Sequence, residues 1–274
     1  MQASSGKSFQ ASKPYLVFSS VGDQALIESW CKGKGRDSFD LAVFYYGDSE
    51  PEYLAAADYV QKRKGSKFQN LKAFYSANSA VLANYDAVLV LDDDIEIDAD
   101  RIAYLFELRK KLELWLIQPS FSYDGKISFE HTQQNPKYRY RFTNFVEMNC
   151  PLFVEHKLAD FMSIYDGSLP GWGMDWWYHN VIGGAEQNKI AIVDEVAVRN
   201  PFDQEKRGGQ REINKLVGTK DRKKLWRQCM EKNGYEEFEP EVFGGEKRKF
   251  DLFRLCYGFI ALSRFIKRKR IKGF

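Results

Sequence analysis

The sequence predicts an α/β domain with a mixed, mostly parallel sheet flanked by helices. Short β-branched and aromatic segments alternate with helical segments along the chain, which is the pattern of β-α-β units. One apolar segment ends directly in a cluster of carboxylates, at the place where an α/β sheet forms its ligand site. With 274 residues the chain can hold one such domain and a tail, and a second full domain is not expected.

The elements follow in order from these patterns. Strands are predicted where β-branched and aromatic residues precede a turn signal, at residues 15–22, 39–46, 87–91, 114–118, 144–153 and 191–198. Helices are predicted at residues 24–31, 77–84, 101–114, 174–182 and 249–272. Residues 53–60 fit a short helix or a loop, and residues 67–74 fit a third strand or a helical segment. The strand at 114–118 is expected to end at Pro119.

Three adjacent aspartates follow the apolar strand at residues 87–91. Asp92 and Asp94 are two positions apart, so both side chains leave an extended backbone on the same side. There they could hold Mg²⁺ or Mn²⁺ together with phosphate oxygens, because hard cations prefer oxygen ligands. A purely structural alternative is that acids after a strand cap the next helix, and Asp98 and Asp100 are assigned that role. Like charges this close need a counter-ion, which favours a metal at the triple that includes Asp93.

A second constellation combines two glycines, a tryptophan and a carboxylate. Gly171 and Gly173 allow the backbone to turn sharply, and the indole of Trp172 offers a flat face on which a sugar ring can stack. Asp175 follows at the start of a helix, where it could accept a proton from a bound hydroxyl group. The alternative is a packed turn without a ligand.

Further candidate residues lie near these motifs or between them. Glu130 and His131 stand in a polar and aromatic stretch that could approach an acceptor, although a lone histidine is more often a hydrogen-bonded loop residue. Glu147 lies between apolar neighbours on a predicted strand, so its carboxylate must be paired or take part in chemistry. The turn after the first strand has backbone amides near Ser19 and Val21 that could hold phosphate or a nucleobase.

Composition narrows the class of protein. No apolar stretch approaches the roughly 20 residues that span a bilayer, and residues 1–13 are polar, without the apolar core of a secretory signal. We therefore expect a flexible N-terminus and a cytoplasmic protein. The four cysteines are far apart in the sequence and indicate neither a disulfide framework nor a zinc site.

Positive charge is concentrated at the C-terminal end. Residues 246–274 contain ten lysines or arginines and two acids, while the whole chain carries a net charge of +3, so the remainder is acidic. Apolar residues recur at helical spacing among the basic ones within residues 249–272, which predicts a basic amphipathic helix. This helix would bind an anionic membrane surface or, alternatively, pack against the domain. Nucleic acid is not expected as a partner, because the basic charge is not spread over a working face.

The two motifs, in this order along the chain, resemble the nucleotide-sugar glycosyltransferases of the GT-A fold. Residues 85–94, 145–147, 171–175 and 192–194 resemble, more specifically, a glycosyltransferase-like family of largely uncharacterised plant and bacterial proteins. The resemblance implies a Rossmann-like GT-A catalytic domain at residues 14–220, preceded by the flexible N-terminus. Residues 221–274 would form a helical, basic tail.

Carried over by position, the resemblance implies that Asp92 and Asp94 bind the metal and the diphosphate. Asp93 would face the ribose or the donor sugar, and Asp175 would be the catalytic base. These enzymes often supply a late histidine as a metal ligand, and this sequence has Arg199 at that place. Arg199 would then help to bind the donor by neutralising the leaving diphosphate, which leaves the dependence on Mn²⁺ or Mg²⁺ open.

The function that this resemblance implies is inverting transfer of a hexose, of galactose type or similar, from a UDP-sugar to a glycan or lipid-linked acceptor. The residues expected to face the acceptor are Trp172, Glu130, His131 and Glu147. The setting would be surface polysaccharide synthesis, such as that of lipopolysaccharide O antigen, with the enzyme peripheral on the inner face of the cell membrane. Two alternatives stay open: a nucleotidyltransferase or phosphohydrolase using the same aspartates, and a non-catalytic protein that binds nucleotide sugars.

Overall fold

A computed structural model of the chain describes residues 9–49, 51–202 and 221–248. The strands in these ranges are β1 (Tyr15–Val21), β2 (Phe39–Tyr45), β3 (Tyr59–Lys62), β4 (Ala87–Asp92), β5 (Leu116–Phe121), β6 (Tyr138–Thr143), β7 (Leu152–Val154), β8 (Ile190–Val198) and β9 (Val242–Lys247). The α-helices are α1 (Ile27–Trp30), α2 (Lys67–Leu82), α3 (Ala99–Lys111), α4 (Glu155–Ile164), α5 (Met174–Ile182) and α6 (Arg222–Asn233). Short 3-10 helices occupy Lys34–Ser38, Glu52–Ala56 and Glu130–Thr132.

All nine strands belong to one sheet, in the order β3-β2-β1-β4-β7-β5-β8-β6-β9. β7 pairs antiparallel with β4 and β5, and β6 pairs antiparallel with β8 and β9, whereas the other pairs are parallel. Only β6 and β7 therefore run against the common direction, which confirms the predicted mixed, mostly parallel sheet. Ser20 lies opposite both Phe44 and Asp92. The turns that follow β1, β2 and β4 consequently meet at one edge of the sheet.

Helices cover both faces of the sheet, which explains why the central strands are apolar without interruption. Every residue of β1 and β2 is buried, as expected for parallel strands covered on both sides. α1 and α3 contribute Trp30 and Phe106 to the core on one face. α2, α4 and α5 contribute Phe74, Phe161 and Met174 to the core on the other. The sheet is thus a rigid support for the loops at its carboxyl edge.

The two segments predicted at residues 67–74 and 77–84 form one helix, α2. Its backbone dihedral angles leave the helical region at Asn78 (φ −136°, ψ 23°). The Asn78 side chain donates to the carbonyl of Phe74 at 3.0 Å, a local hydrogen bond that competes with the helix backbone. The third strand lies earlier than predicted, at Tyr59–Lys62. The two predicted segments are therefore continuous, and the kink at Asn78 lies within the second of them.

Two strand predictions are wrong in their extent. β5 continues through Pro119 to Phe121, because its register with β8 shifts between Pro119 and Ser120. Such a bulge accommodates a residue that has no N–H group to donate. The strand predicted at residues 144–153 is confined to Leu152–Val154. Residues 144–151 form neither a strand nor a helix.

Residues 9–13 pack against the domain, whereas a flexible end was expected over residues 1–13. Phe9 is buried and packs its ring 4.8 Å from that of Phe74. The backbone N–H groups of Ser12 and Lys13 donate to a carboxylate oxygen of Asp40 at 2.8 and 3.2 Å. These contacts place residues 9–13 within the domain, and residues 1–8 lie outside the described residues.

The predicted tail at residues 221–274 begins with a part that belongs to the domain. Trp226 of α6 is 1% exposed and lies in the same core as α5. β9 extends the sheet by pairing with β6. Residues 221–248 thus complete the domain, while the predicted amphipathic helix at residues 249–272 lies outside the described residues. Among the residues that are described, no helix has the length and apolar character needed to span a bilayer.

Replacing Gly173 with alanine should destabilise the domain, because Gly173 combines a positive φ of +89° with close contact to Trp226. A Cβ atom at this position would lie 2.3 Å from the Trp226 ring. The backbone conformation alone costs about 1 kcal/mol, and overpacking adds roughly 1–3 kcal/mol. Thermal unfolding should show a larger loss for Gly173→Ala than for the matched control Gly234→Ala, whose φ is +68° with no atom within 4 Å of the added Cβ. Equal losses of thermal stability in the two variants would contradict the conclusion that contact with Trp226 excludes a side chain at Gly173.

Candidate active site

The candidate site lies at the carboxyl edge of the sheet, where Asp93 joins the turns after β1 and β2. One oxygen of Asp93, Oδ2, accepts from the Gly22 N–H at 2.9 Å and from the Tyr46 hydroxyl at 2.6 Å. Burial, and then the neighbouring charge of Asp94, raise the pKa of Asp93 to about 6. Part of this carboxylate is therefore used to hold the loops together. The contact of Asp93 with the donor, through the other carboxylate oxygen, stays a prediction.

Asp92 has a partner that the sequence patterns did not identify. Its Oδ1 lies 2.6 Å from Nζ of Lys67, the first residue of α2. The Lys67 side chain is 6% exposed, and its Nζ also donates to the carbonyls of Met148 and, at 3.2 Å, Asn149. The ammonium group thus links β4 to the irregular segment at residues 144–151.

Asp175 lies beside this pair, at the second position of α5. It is 7% exposed, and its Oδ1 accepts a hydrogen bond from the backbone N–H of Met148. Burial raises the pKa of Asp175 to about 7, while the Lys67 charge lowers it and the Asp92 charge raises it. Asp92, Lys67 and Asp175 are therefore close enough to form one electrostatic unit. The structure brings together the two motifs that are about 80 residues apart in the sequence.

Glu147 is buried next to the site and hydrogen-bonded within the protein, whereas it was expected to face an acceptor. It is 2% exposed. Its Oε1 accepts from the Thr132 hydroxyl at 2.7 Å and its Oε2 from the Asn149 side chain at 3.0 Å. Burial is the main cause that raises the pKa of Glu147 to about 8. This carboxyl group is mostly protonated at neutral pH and is fixed on both oxygens.

Side-chain partners explain why residues 144–151 do not form a strand. The N–H of Val146 donates to Nε2 of His179 at 2.9 Å, and that of Glu147 donates to Oε1 of Gln118. The Tyr178 hydroxyl donates to the carbonyl of Val146 at 2.6 Å. The peptide groups of Val146 and Glu147 are thus satisfied by α5 and β5, whereas the carbonyls of Asn149 and Pro151 accept from the β4 backbone at 2.8 Å. No periodicity in the sequence contains this information.

Two of the predicted donor-binding residues lie in the core. The Ser19 side chain is fully buried, and its hydroxyl donates to the carbonyl of Leu91 at 2.7 Å. Val21 is also fully buried, and its carbonyl accepts from the N–H of Tyr46 at 2.9 Å. The Ser19 hydroxyl and the Val21 side chain therefore face away from any ligand at the edge. The next amide, that of Gly22, is the one bound by Asp93.

Arg199 lies near the aspartates but makes other ion pairs. Its Nη1 is 2.7 Å from Oε1 of Glu96, and its Nε is 3.8 Å from Asp124. The backbone N–H of Glu96 also donates to the carbonyl of Arg199 at 2.9 Å. Arg199 is thus anchored two residues beyond Asp94, and its contact with a leaving diphosphate stays a prediction.

Of the residues predicted to face the acceptor, some are exposed and others form hydrogen bonds within the protein. Trp172 is 40% exposed, and Nζ of Lys223 lies 4.7 Å from its ring centroid. Glu130 is exposed at the start of its turn. His131 donates from Nε2 to the carbonyl of Phe145 at 3.1 Å, and burial is the first cause that lowers its pKa to about 4. His131 is therefore a neutral, hydrogen-bonded loop residue, which was the structural alternative weighed from the sequence.

The carboxylates at this edge are better suited to a cation that also binds phosphate oxygens of a ligand than to a cation held by protein side chains alone. Within the described ranges, no group of three or more His, Cys, Asp or Glu residues is arranged to hold a metal ion. One oxygen of Asp92 is already bound by Lys67. The remaining oxygen of Asp92 and the side chain of Asp94 could supply two ligands, and Mg²⁺ sites commonly combine one or two carboxylates with phosphate oxygens.

Lys67 is the main residue of this site that sequence reasoning missed. A weak signal was present, because a basic residue at the first position of a helix opposes the helix dipole and is unusual there. The position was ambiguous between strand and helix, so this signal could not be used. Gln118 and Thr132 carry no comparable signal, because they contact the site through partners distant in the sequence.

Comparisons with known proteins show the fold. No protein-family model and no curated protein matches the chain. Among solved structures, the chain is similar to GalNAc-T7 with UDP, GalNAc and Mn²⁺, with a TM-score of 0.53 and 11% sequence identity over 79% of this chain and 48% of that chain. It is also similar to S. aureus TarS 1–349 in complex with UDP-GlcNAc, with a TM-score of 0.49 and 12% identity over 82% of this chain and 68% of that one. A longer S. aureus TarS structure gives a TM-score of 0.47 with 11% identity, and the chain spans 37% of its length.

The likeness to GalNAc-T7 shows that the chain has the GT-A fold, as the resemblance of the two motifs implied. The chain spans about half the length of that structure.

Proposed function

We propose that the chain is a glycosyltransferase that moves a sugar from a nucleoside diphosphate donor to an acceptor hydroxyl in one displacement, with inversion. The observation that carries this proposal is the position of Asp175. This buried carboxylate has a pKa raised to about 7 and lies beside Asp92 at the ligand edge of a GT-A sheet. A general base works best when its pKa is close to the operating pH.

Asp175 suits the role of base better than Glu147 does. The Met148 N–H fixes one oxygen of Asp175 and thereby orients the carboxylate. Both oxygens of Glu147 accept hydrogen bonds, and its pKa of about 8 leaves it protonated at neutral pH. Asp175 would accept the proton of the acceptor hydroxyl as that oxygen attacks the anomeric carbon, and the bond to the diphosphate breaks on the opposite side of the sugar.

The donor is proposed to be a UDP-hexose of galactose type or similar. The GalNAc-T7 structure contains UDP, GalNAc and Mn²⁺, which supports a donor of this class. Asp94 and the second oxygen of Asp92 would bind Mn²⁺ or Mg²⁺ together with the diphosphate. When bound, such a cation stabilises the negative charge on the departing diphosphate. Arg199 and Asp93 are proposed to contact the donor from either side of these aspartates.

Asp94→Ala should weaken the binding of UDP in the presence of Mn²⁺ by about tenfold or more, because one of two proposed protein ligands is lost. Calorimetry with UDP and Mn²⁺ measures the effect. Asp98→Ala is the matched control, since Asp98 caps α3 by accepting from the Arg101 N–H at 2.8 Å and should leave nucleotide affinity unchanged. Equal UDP affinity in the Asp94 variant and the wild type would refute the metal assignment.

Asp175→Asn should keep donor binding and lower the transfer rate about 100- to 10,000-fold, the usual contribution of a positioned base. Because the pKa of Asp175 is raised, its basic form is present above about pH 7. The wild-type rate should therefore rise as the pH increases through about 7, and this rise should vanish in the variant. A nearly wild-type rate would show that the base lies elsewhere, and a retained anomeric configuration by NMR would exclude single displacement.

The acceptor is proposed to be a glycan or a lipid-linked sugar in surface polysaccharide synthesis, such as that of lipopolysaccharide O antigen. The exposed ring of Trp172 supports a sugar acceptor, because it precedes Asp175 by three residues and is 40% exposed. Identification of an intact sugar in the product would separate this reaction from nucleotidyl transfer or phosphate release. UDP-sugar binding without turnover would favour the non-catalytic alternative.

The segment at residues 249–272 is proposed to attach the enzyme to the inner face of the cell membrane. Its pattern of basic and apolar residues supports binding to anionic lipid. The deletion that tests this should start at residue 249, because β9 extends to Lys247 and is part of the sheet.

Deleting residues 249–274 should release the protein from anionic vesicles and leave turnover of a soluble acceptor unchanged. Flotation with anionic and neutral vesicles, each at low and high salt, measures the attachment. As a matched control, the full-length chain with the five basic residues at positions 267–270 and 272 changed to glutamine should float less while keeping its length. If the full-length protein does not float with anionic vesicles, the attachment proposal fails.

A further inference from the structure

Lys67 places a buried positive charge in the middle of the carboxylates. Its side chain is 6% exposed and its Nζ has three acceptors, which are Oδ1 of Asp92 at 2.6 Å and the carbonyls of Met148 and Asn149. An ammonium group can donate three hydrogen bonds. All three are therefore used within the protein.

The position of Lys67 is not explained by the stability of α2. Lys67 is the first residue of this helix, where the partial positive charge of the helix dipole disfavours a cation. Removing an ammonium group from water also has a large free-energy cost unless the charge is paired and hydrogen-bonded. Its three hydrogen-bond acceptors all belong to the candidate active site. Its Nζ also lies 5.6 Å from the ring centroid of Phe68, the next residue of α2.

The contacts of Lys67 continue to the proposed base through one residue. The carbonyl of Met148 accepts from Lys67, and the N–H of Met148 donates to Oδ1 of Asp175. The neighbouring residue Asn149 accepts from Lys67 through its carbonyl and donates from its side chain to Glu147 at 3.0 Å. A displacement of the ammonium group would thus shift the segment that orients Asp175.

We propose that Lys67 is a positioning residue that acts as a cation built into the active site. Its first effect is to neutralise part of the charge of Asp92, so that a divalent cation competes with an existing positive charge. Its second effect is to hold Met148 in the position from which the Met148 N–H orients Asp175. The second effect rests on the proposed function, because it concerns the base of the transfer reaction. The first concerns only the aspartates and a metal ion.

The first effect is tested with Mn²⁺ alone and with Mn²⁺ plus UDP, by electron paramagnetic resonance and calorimetry. Lys67→Met removes a positive charge 2.6 Å from Oδ1 of Asp92, so the affinity for Mn²⁺ should rise about tenfold or more. Lys67→Arg keeps the charge and should stay within about threefold of the wild type. Lys72→Met is the matched control, because Lys72 is on the same helix but donates to the carbonyl of Met162 at 2.6 Å.

The second effect is tested by steady-state turnover of a UDP-sugar. Lys67→Met should lower kcat about a hundredfold or more, the scale expected when a catalytic group is misplaced by about 1 Å, while KM for the donor changes little. Lys67→Arg should recover part of kcat, and Lys72→Met should match the wild type. A variant that merely lost stability would lose Mn²⁺ binding together with turnover. A rise in Mn²⁺ affinity combined with a fall in kcat is specific to the proposed role.

The outcomes separate this inference from the proposed function. If the wild type does not turn over any UDP-sugar, the proposed function fails, and the titration with Mn²⁺ alone still decides whether Lys67 acts as the built-in cation. Unchanged or weaker Mn²⁺ affinity in Lys67→Met overturns the inference. Lys67→Gln is measured in parallel, with thermal melting as a check on folding. If neither neutral variant folds, Lys67 is a structural residue and the inference is also overturned.

Discussion

The burial of carboxylates at one edge of the sheet is the constraint on which the architecture of this site depends. Asp175 and Glu147 are 7% and 2% exposed, and buried carboxyl groups require hydrogen-bond donors or positive charge. The donors are the Met148 N–H, the Thr132 hydroxyl and the Asn149 amide. The positive charge is that of Lys67. Each requirement fixes a piece of backbone, and together they determine the course of the segment at residues 144–151.

The same constraint divides the carboxylates by role. Glu147 is paired on both oxygens and has the higher pKa, so it behaves as a neutral hydrogen-bonding group near pH 7. Burial raises the pKa of Asp175 less far, to about 7, because backbone N–H groups, first that of Met148, and then the Lys67 charge stabilise its ionised form. Two acids that a sequence reader would treat as equivalent candidates are thus separated by their surroundings.

The sequence predicted the elements whose pattern is local. The apolar strand that ends at Asp92, the helix that starts at Met174 and the alternation of strands and helices all follow from neighbouring residues. The joining of Asp92 and Asp175 in one site followed from the resemblance to GT-A enzymes. In the structure, Lys67 and Met148 connect the two side chains through hydrogen bonds. Ser19 was assigned to the donor from a turn motif, but it lies within β1, which continues to Val21, and is buried.

Features that depend on distant partners could not be predicted in this way. Residues 144–151 have the composition of a strand, yet His179 and Gln118 accept from the backbone N–H groups of Val146 and Glu147. The role of Trp226 depends on the absence of a side chain at Gly173, 53 positions earlier in the sequence. Such pairings are decided by packing between elements, which a single sequence does not display.

The contact between Trp226 and Gly173 also has a consequence for the local dynamics of the domain. Because α6 covers the turn that leads into α5, opening of residues 221–248 would expose the turn that presents Asp175. Segments that pack on each other in this way tend to open as one cooperative unit in native-state hydrogen exchange. The amides at the start of α5 and those of α6 should then share an opening free energy. The lifetime of the intact catalytic turn is therefore set by α6, a helix that contributes none of the proposed catalytic groups.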